Sequence, residues 1–186
     1  MNVNASTVEA VSALDILRGE YRRIQELIRD FQSVDRETKK YVARTAIEEI
    51  KLNHMLEQKV LFPAIHAEAE QASPLLAEIE ESHRLAQLLI AELQVIPHGE
   101  RYNAKFAQLS ETVLSCLRDT QDSLFPLVEK SGMDLEVLGV ELSKAKTHAM
   151  IRRSPFWQRN LRPLVGLAVA GLAAAVIYRA VKSRDR

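Results

Sequence analysis

Cysteine is almost missing from this chain. Cys116 stands alone, which excludes an intrachain disulfide and a zinc-spaced cysteine pair and points to a reducing compartment. Glycine and proline are scarce at six each, and aromatic residues make up only 5% of the 186 residues. No glycine-rich phosphate loop can be read, and no Ser-His-Asp arrangement suggests nucleophilic catalysis, so no enzyme activity is expected. Net charge is missing as well, because 25 basic residues balance 25 acidic ones. Without a basic excess, and without aromatic residues interleaved with basic ones, no nucleic-acid partner is expected. The opening residues "MNVNASTVEAV" have neither a basic start nor an apolar run, so they do not read as a secretory signal.

What remains is a chain that is 47% apolar and otherwise rich in Ala, Glu, Leu, Lys, Arg and Gln, a composition of helices. Its length suits one domain with an appendage. Ser6-Thr7-Val8-Glu9 is a capping-box pattern at the start of a first helix. Leu14, Leu17, Tyr21, Ile24, Ile28 and Phe31 then recur every three or four residues as one helical face. A second stripe runs Val42, Ala46, Ile50, Asn53, Glu57, Val60, Ala64, with Ile47, His54 and Leu61 beside it. Ser73-Pro74 signals the start of a third helix, whose stripe is Leu76, Ile79, His83, Ala86, Ile90, Leu93. The fourth stripe is Phe106, Leu109, Val113, Cys116, Thr120, Leu124, Leu127, stopped by Gly132. A shorter fifth helix, from about Asp134 to Met150, carries Leu135, Leu138, Leu142 and Ala145, and Ser154-Pro155 reads as its end.

The two halves repeat one another. "HMLEQKVLFPAI" (54–65) and "LRDTQDSLFPLV" (117–128) share Leu-Phe-Pro 63 residues apart, which reads as the same helix ending written twice. Long helices with short connections, in two similar halves, predict an all-α, antiparallel up-down four-helix bundle built from a duplicated helical hairpin, over residues 6–131. The fifth helix covers 132–153.

Residues 154–186 differ in kind. The run "PLVGLAVAGLAAAVIY" (163–178) has no charge and no amphipathic face. Arg162 precedes it and Arg179 follows it, both able to snorkel to a membrane surface, and Trp157 and Tyr178 suit a headgroup belt. A single-pass, C-terminal transmembrane anchor in a lipid bilayer is expected, with the bundle cytoplasmic. Gly166 with Ala170, and Gly171 with Ala175, are small residues four apart that would allow a second copy to pack closely. The anchor and the fifth helix are thus the expected routes to a homo-oligomer.

Each stripe of the bundle is interrupted near its middle by polar residues: Tyr21, Asn53 with Glu57, His83, and Cys116 with Thr120. In an up-down bundle these midpoints share a level, and an inward polar group needs a partner or an ion. Over about residues 10–130 the chain resembles the hemerythrin-like, or HHE cation-binding, family. The resemblance rests on "LDILRGEYRRIQELI", "NHMLEQKVLFPAI", "IEESHRLAQLL" and "CLRDTQDSLFPLV". It implies two irons that bind or react with oxygen or nitric oxide. Their ligands in that family are a Glu-His in the first helix, His-x-x-x-Glu or Asp in the second and fourth, and one or two histidines in the third. Position by position, Tyr21 replaces the first histidine, Asn53 the second-helix histidine, Gln87 a third-helix histidine, Cys116 the fourth-helix histidine and Thr120 its acid. Glu57 and His83 match. A shift of one residue along the second helix brings in His54 instead. So few ligands do not hold two irons. The expectation is therefore no cofactor and a non-enzymatic, membrane-anchored scaffold or regulatory module. The alternative is iron on His54, Glu57 and His83 in a sensor or carrier of oxygen, nitric oxide or iron. His66, His98 and His148 are expected at the surface.

Overall fold

The computed structural model describes residues 11–160. Within them the chain forms seven α-helical segments: α1 (Ala13–Ser33), α2 (Arg36–Leu56), α3 (Phe62–Glu68), α4 (Ser73–Val95), α5 (Glu100–Asp119), α6 (Phe125–Lys130) and α7 (Leu135–Asn160). α1 lies along α2 and α4 along α5, and α1 meets α5 to close the layout. Connections of a few residues force neighbouring helices to run antiparallel. The chain divides into two compact units, Met1–Lys146 and Thr147–Arg186. The bundle belongs to the first.

Local chemistry explains the helix ends. Ser12, rather than the Ser6–Glu9 box, caps α1, its hydroxyl accepting from Leu14 N at 3.3 Å. The box itself lies outside the described residues. Asp35 caps α2 by accepting from Glu37 N and Thr38 N. Ser73 is the first residue of α4 rather than its cap; a short 3₁₀ turn, Glu70–Ala72, leads into it. Gly132 ends the α6 turn with φ +82°, a left-handed conformation that glycine adopts without a Cβ clash.

Leu-Phe-Pro turns out not to be a helix ending. α2 passes into α3 through a π-helical turn, Glu57–Leu61, and α5 passes into α6 through another, Thr120–Leu124. Pro63 and Pro126 sit in the first turn of the segment beyond. A proline lacks the N–H that an α-helix interior would use, and its ring crowds the carbonyl four residues back; a widened turn relieves both. The π turn adds a residue to the local repeat and so rotates the buried face. Val60 and Ala64, expected inward from α-helical spacing, are half-buried, whereas Leu61 and Ile65 are fully buried. In the second half Val128, not Leu127, is fully buried.

The first part of the fifth helix, as far as Lys146, belongs to the bundle unit. Leu138 and Leu142 are buried, as the stripe predicts. Gly139 faces the start of α1 so closely that an added Cβ would sit 2.1 Å from Val11 O. Lys146 reaches the largely buried Glu20 and forms an ion pair. α7 continues to Asn160, through the Ser154-Pro155 pair that reads as a break in the sequence. A proline removes one helical hydrogen bond and bends a helix without necessarily ending it. Among the described residues no helix is long and apolar enough to cross a membrane. Of the anchor segment expected over 154–186, the apolar run at 163–178 and its flanks Arg162 and Arg179 lie outside the described residues.

Candidate functional site

The midpoints of the helices meet as the sequence predicts. Tyr21 from α1, Asn53 and His54 from α2, Glu57 from the first π turn, His83 from α4, Cys116 from α5 and Thr120 from the second π turn are all buried. Gln87 is exposed on α4 and takes no part. The alternative between Asn53 and His54 proves not to be exclusive, since both side chains are enclosed. His66, His98 and His148 are exposed.

Glu57 is the centre of the layer, 1% exposed. The Tyr21 hydroxyl donates to Oε1. The Asn53 amide donates to Oε2 at 2.9 Å. His83 Nε2 lies 3.1 Å from the same Oε2. Three groups on three different helical segments therefore converge on one carboxylate. That convergence is what a buried acidic group needs, because leaving it without partners costs several kcal/mol, on the order of 3–5. Aromatic contacts hold the partners in place: Tyr21 stacks on Phe125 at 5.7 Å between centroids, and Phe62 packs against His83 at 5.3 Å.

His54 joins the layer by a different contact. Its ring stacks on that of His83, 3.7 Å between centroids and 15° from parallel. Burial, and then His83 beside it, lower its pKa from 6.5 to about 3. Burial first, and then the Glu57 carboxylate, push the Tyr21 phenol well above its usual range. The same two causes, in the same order, raise the Cys116 thiol to about 12. Tyr21 is thus a lasting donor and Cys116 an unreactive thiol. Thr120 turns its hydroxyl back onto the Cys116 carbonyl at 2.8 Å, a bond within its own helix. Two atoms of the layer are buried without a hydrogen-bond partner, Asn53 Oδ1 and His83 Nδ1.

These positions test the fit of an iron centre. A metal bound by imidazole lies near the ring plane at about 2 Å from nitrogen. Two rings stacked as His54 and His83 are stacked have planes that meet only far beyond that distance, so as placed they do not share an ion. Both oxygens of Glu57 already face protein donors. The fourth-helix positions offer a thiol whose pKa is raised to about 12 and a hydroxyl bonded within its own helix, rather than an imidazole and a carboxylate. Among the described residues no group of three His, Cys, Asp or Glu side chains is arranged to hold an ion. The donor set does not fit two irons.

Sequence reasoning missed Glu20, a carboxylate 7% exposed between the core positions Leu17 and Tyr21. Its signal was an acid next to an apolar stripe on the side where a fifth helix would dock. Sequence reasoning also missed the π turns, for which the repeated proline was the available sign.

No family model and no curated protein sequence matches the chain. A solved structure does: a hemerythrin HHE cation-binding domain-containing protein from Mycobacterium kansasii, with a TM-score of 0.64 and 18% identity. The match covers 77% of this chain and 93% of that one. The fold is that of a hemerythrin-like helical bundle.

Proposed function

We propose that this protein is a hemerythrin-like bundle in which a hydrogen-bonded carboxylate cluster stands where the fold's relatives place metal ligands, and that it works as a non-enzymatic scaffold or regulatory module. The observation that carries the reading is the convergence of Tyr21, Asn53 and His83 on Glu57. A carboxylate so surrounded has its charge offset by protein groups and needs no cation to be stable in the core. The working surfaces are then the exterior of the bundle and the C-terminal part of the chain. The apolar run at 163–178, with its basic flanks, supports a bilayer anchor.

The test is metal content. The full chain, purified in detergent from cells grown with iron, should carry substoichiometric metal and no visible absorption band, and a chelator should leave its melting temperature unchanged. One or two irons per chain would overturn the reading. That result would favour the rival one, an iron-binding sensor or carrier of oxygen, nitric oxide or iron. The rival draws on the presence of His54, Glu57 and His83 in a single buried layer.

A further inference from the structure

A second polar region lies at the end of the bundle where α1 gives way to α2 and α4 to α5. Ten residues beyond Tyr21 along α1, about 15 Å, Phe31 begins a cleft. The cleft has a volume of about 670 Å³. Its floor is aromatic: Phe31 and Tyr102 are both buried, Phe31 rests on Phe106 at 4.2 Å, and the His98 ring lies 4.3 Å from that of Tyr102. Its wall is basic. Arg36, Lys39 and Lys40 come from the first turns of α2, and Lys39 Nζ sits 5.2 Å over the Phe31 ring. Among the described residues none of these three cations has a carboxylate partner, although Arg18, Arg23, Lys51, Arg84 and Lys105 all do. Glu37 and Glu100 also line the cleft, so three cations face two acids before His98 is counted.

The start of α5 adds to this field. Gly99 precedes it and supplies no side-chain cap. The first amide to find its helical acceptor is that of Asn103, which donates to Gly99 O at 2.9 Å. The amides before it are left for another acceptor, at the positive end of the helix. A neighbouring cavity of about 640 Å³ shares Phe31 and Lys39 and extends the groove between α1 and α5 past Ile28 and Leu114.

We propose that this cleft binds an organic phosphate: a phosphomonoester group at Arg36, Lys39 and Lys40 with an apolar body laid along Phe31 and Tyr102. A phosphomonoester carries close to two charges and three strong acceptor oxygens, which match several cations better than one carboxylate does. The aromatic floor and the adjoining groove give the body its place. The proposal does not depend on the fate of the metal centre.

Isothermal titration of the full chain in detergent micelles tests it. The probes are 1-naphthyl phosphate, a soluble ester, and dihexanoyl phosphatidic acid below its micelle concentration, a lipid headgroup. Uncharged 1-naphthol is the control. Saturable binding of at least one phosphate is expected, weakening about tenfold in Lys39→Glu with Lys40→Glu and again at higher salt, and unchanged in Lys130→Glu. The tighter probe identifies the source of the phosphate. Arg36→Gln, at an exposed helix start, should weaken binding severalfold and serves if the double variant loses helicity. No saturable binding of either phosphate, equal binding of naphthol, or binding as tight as wild type in both the Arg36 and the Lys39/Lys40 variants would overturn the proposal.

Discussion

Glu57 decides whether the polar layer is self-sufficient. Removing it strands three partners at once. Glu57→Ala should cost on the order of 3–5 kcal/mol of unfolding free energy, whereas Tyr21→Phe, which removes one donor, should cost about 1–3. Urea unfolding measures both, and a Glu57→Ala variant no less stable than Tyr21→Phe would refute the central role given to the carboxylate. His54 sets an acid limit. Its pKa is near 6.5 in the unfolded chain and about 3 when folded, because burial, and then His83, disfavour its charge. The unfolded state therefore binds a proton that the folded state refuses between those values. The stability tied to His54 is present above about pH 6.5 and is lost as pH falls toward about 3, by up to about 1.4 kcal/mol per pH unit. His54→Gln should flatten this part of the pH dependence. An unchanged slope between about pH 6 and 4 would show that His54 is not the group responsible.

Among the elements, the fifth helix is where a single atom matters most. Gly139 meets the backbone of Val11 and Ser12, which cannot yield as a flexible side chain would. Gly139→Ala should destabilise by roughly 1–3 kcal/mol through overpacking. A Cβ added at Gly19, inside α1, would meet nothing outside its own helix backbone nearer than Arg22 Nη2 at 4.0 Å. There Gly19→Ala should stabilise by about 0.5–1 kcal/mol, as alanine restricts the unfolded chain and favours helix. Opposite signs for the two substitutions, read from melting temperatures, are the expected result; two changes of the same sign would mean that α7 does not dock through Gly139.

For the whole molecule, the bilayer anchor proposed for the apolar run at 163–178 is tested by fractionation. Full-length chain should stay in the membrane pellet through a carbonate wash. Ala170→Arg, which puts a charge mid-run, should lower insertion by about 2.5–3.5 kcal/mol and shift protein to the wash. Full-length chain that washes off would refute the anchor. The bundle has its own core, since Leu14, Leu17, Ile50, Leu76, Ile79 and Leu109 are all fully or almost fully enclosed. A bundle with such a core is expected to fold without an ion, and a melting temperature that drops strongly on adding a chelator would refute this.

The existence of the long helices, their order and the residues of the polar layer were legible in the sequence. These follow from periodicity, and Tyr21, Glu57, His83, Cys116 and Thr120 all interrupt an apolar stripe at its midpoint. Duplication was legible from Leu-Phe-Pro for the same reason. Which atoms face one another was not legible. A spacing of three or four residues assumes α-helix throughout, and the π turns at Glu57–Leu61 and Thr120–Leu124 break that assumption. Within and beyond them Ile65 and Val128 are enclosed with Leu61 of the adjoining stripe, whereas Val60, Ala64 and Leu127 are half-buried. Only the packed structure decided that Asn53 and His54 are both enclosed, that His54 lies flat on His83, and that both oxygens of Glu57 meet protein donors. Those outcomes depend on rotamers and on neighbours from other helices, which no one-dimensional spacing contains.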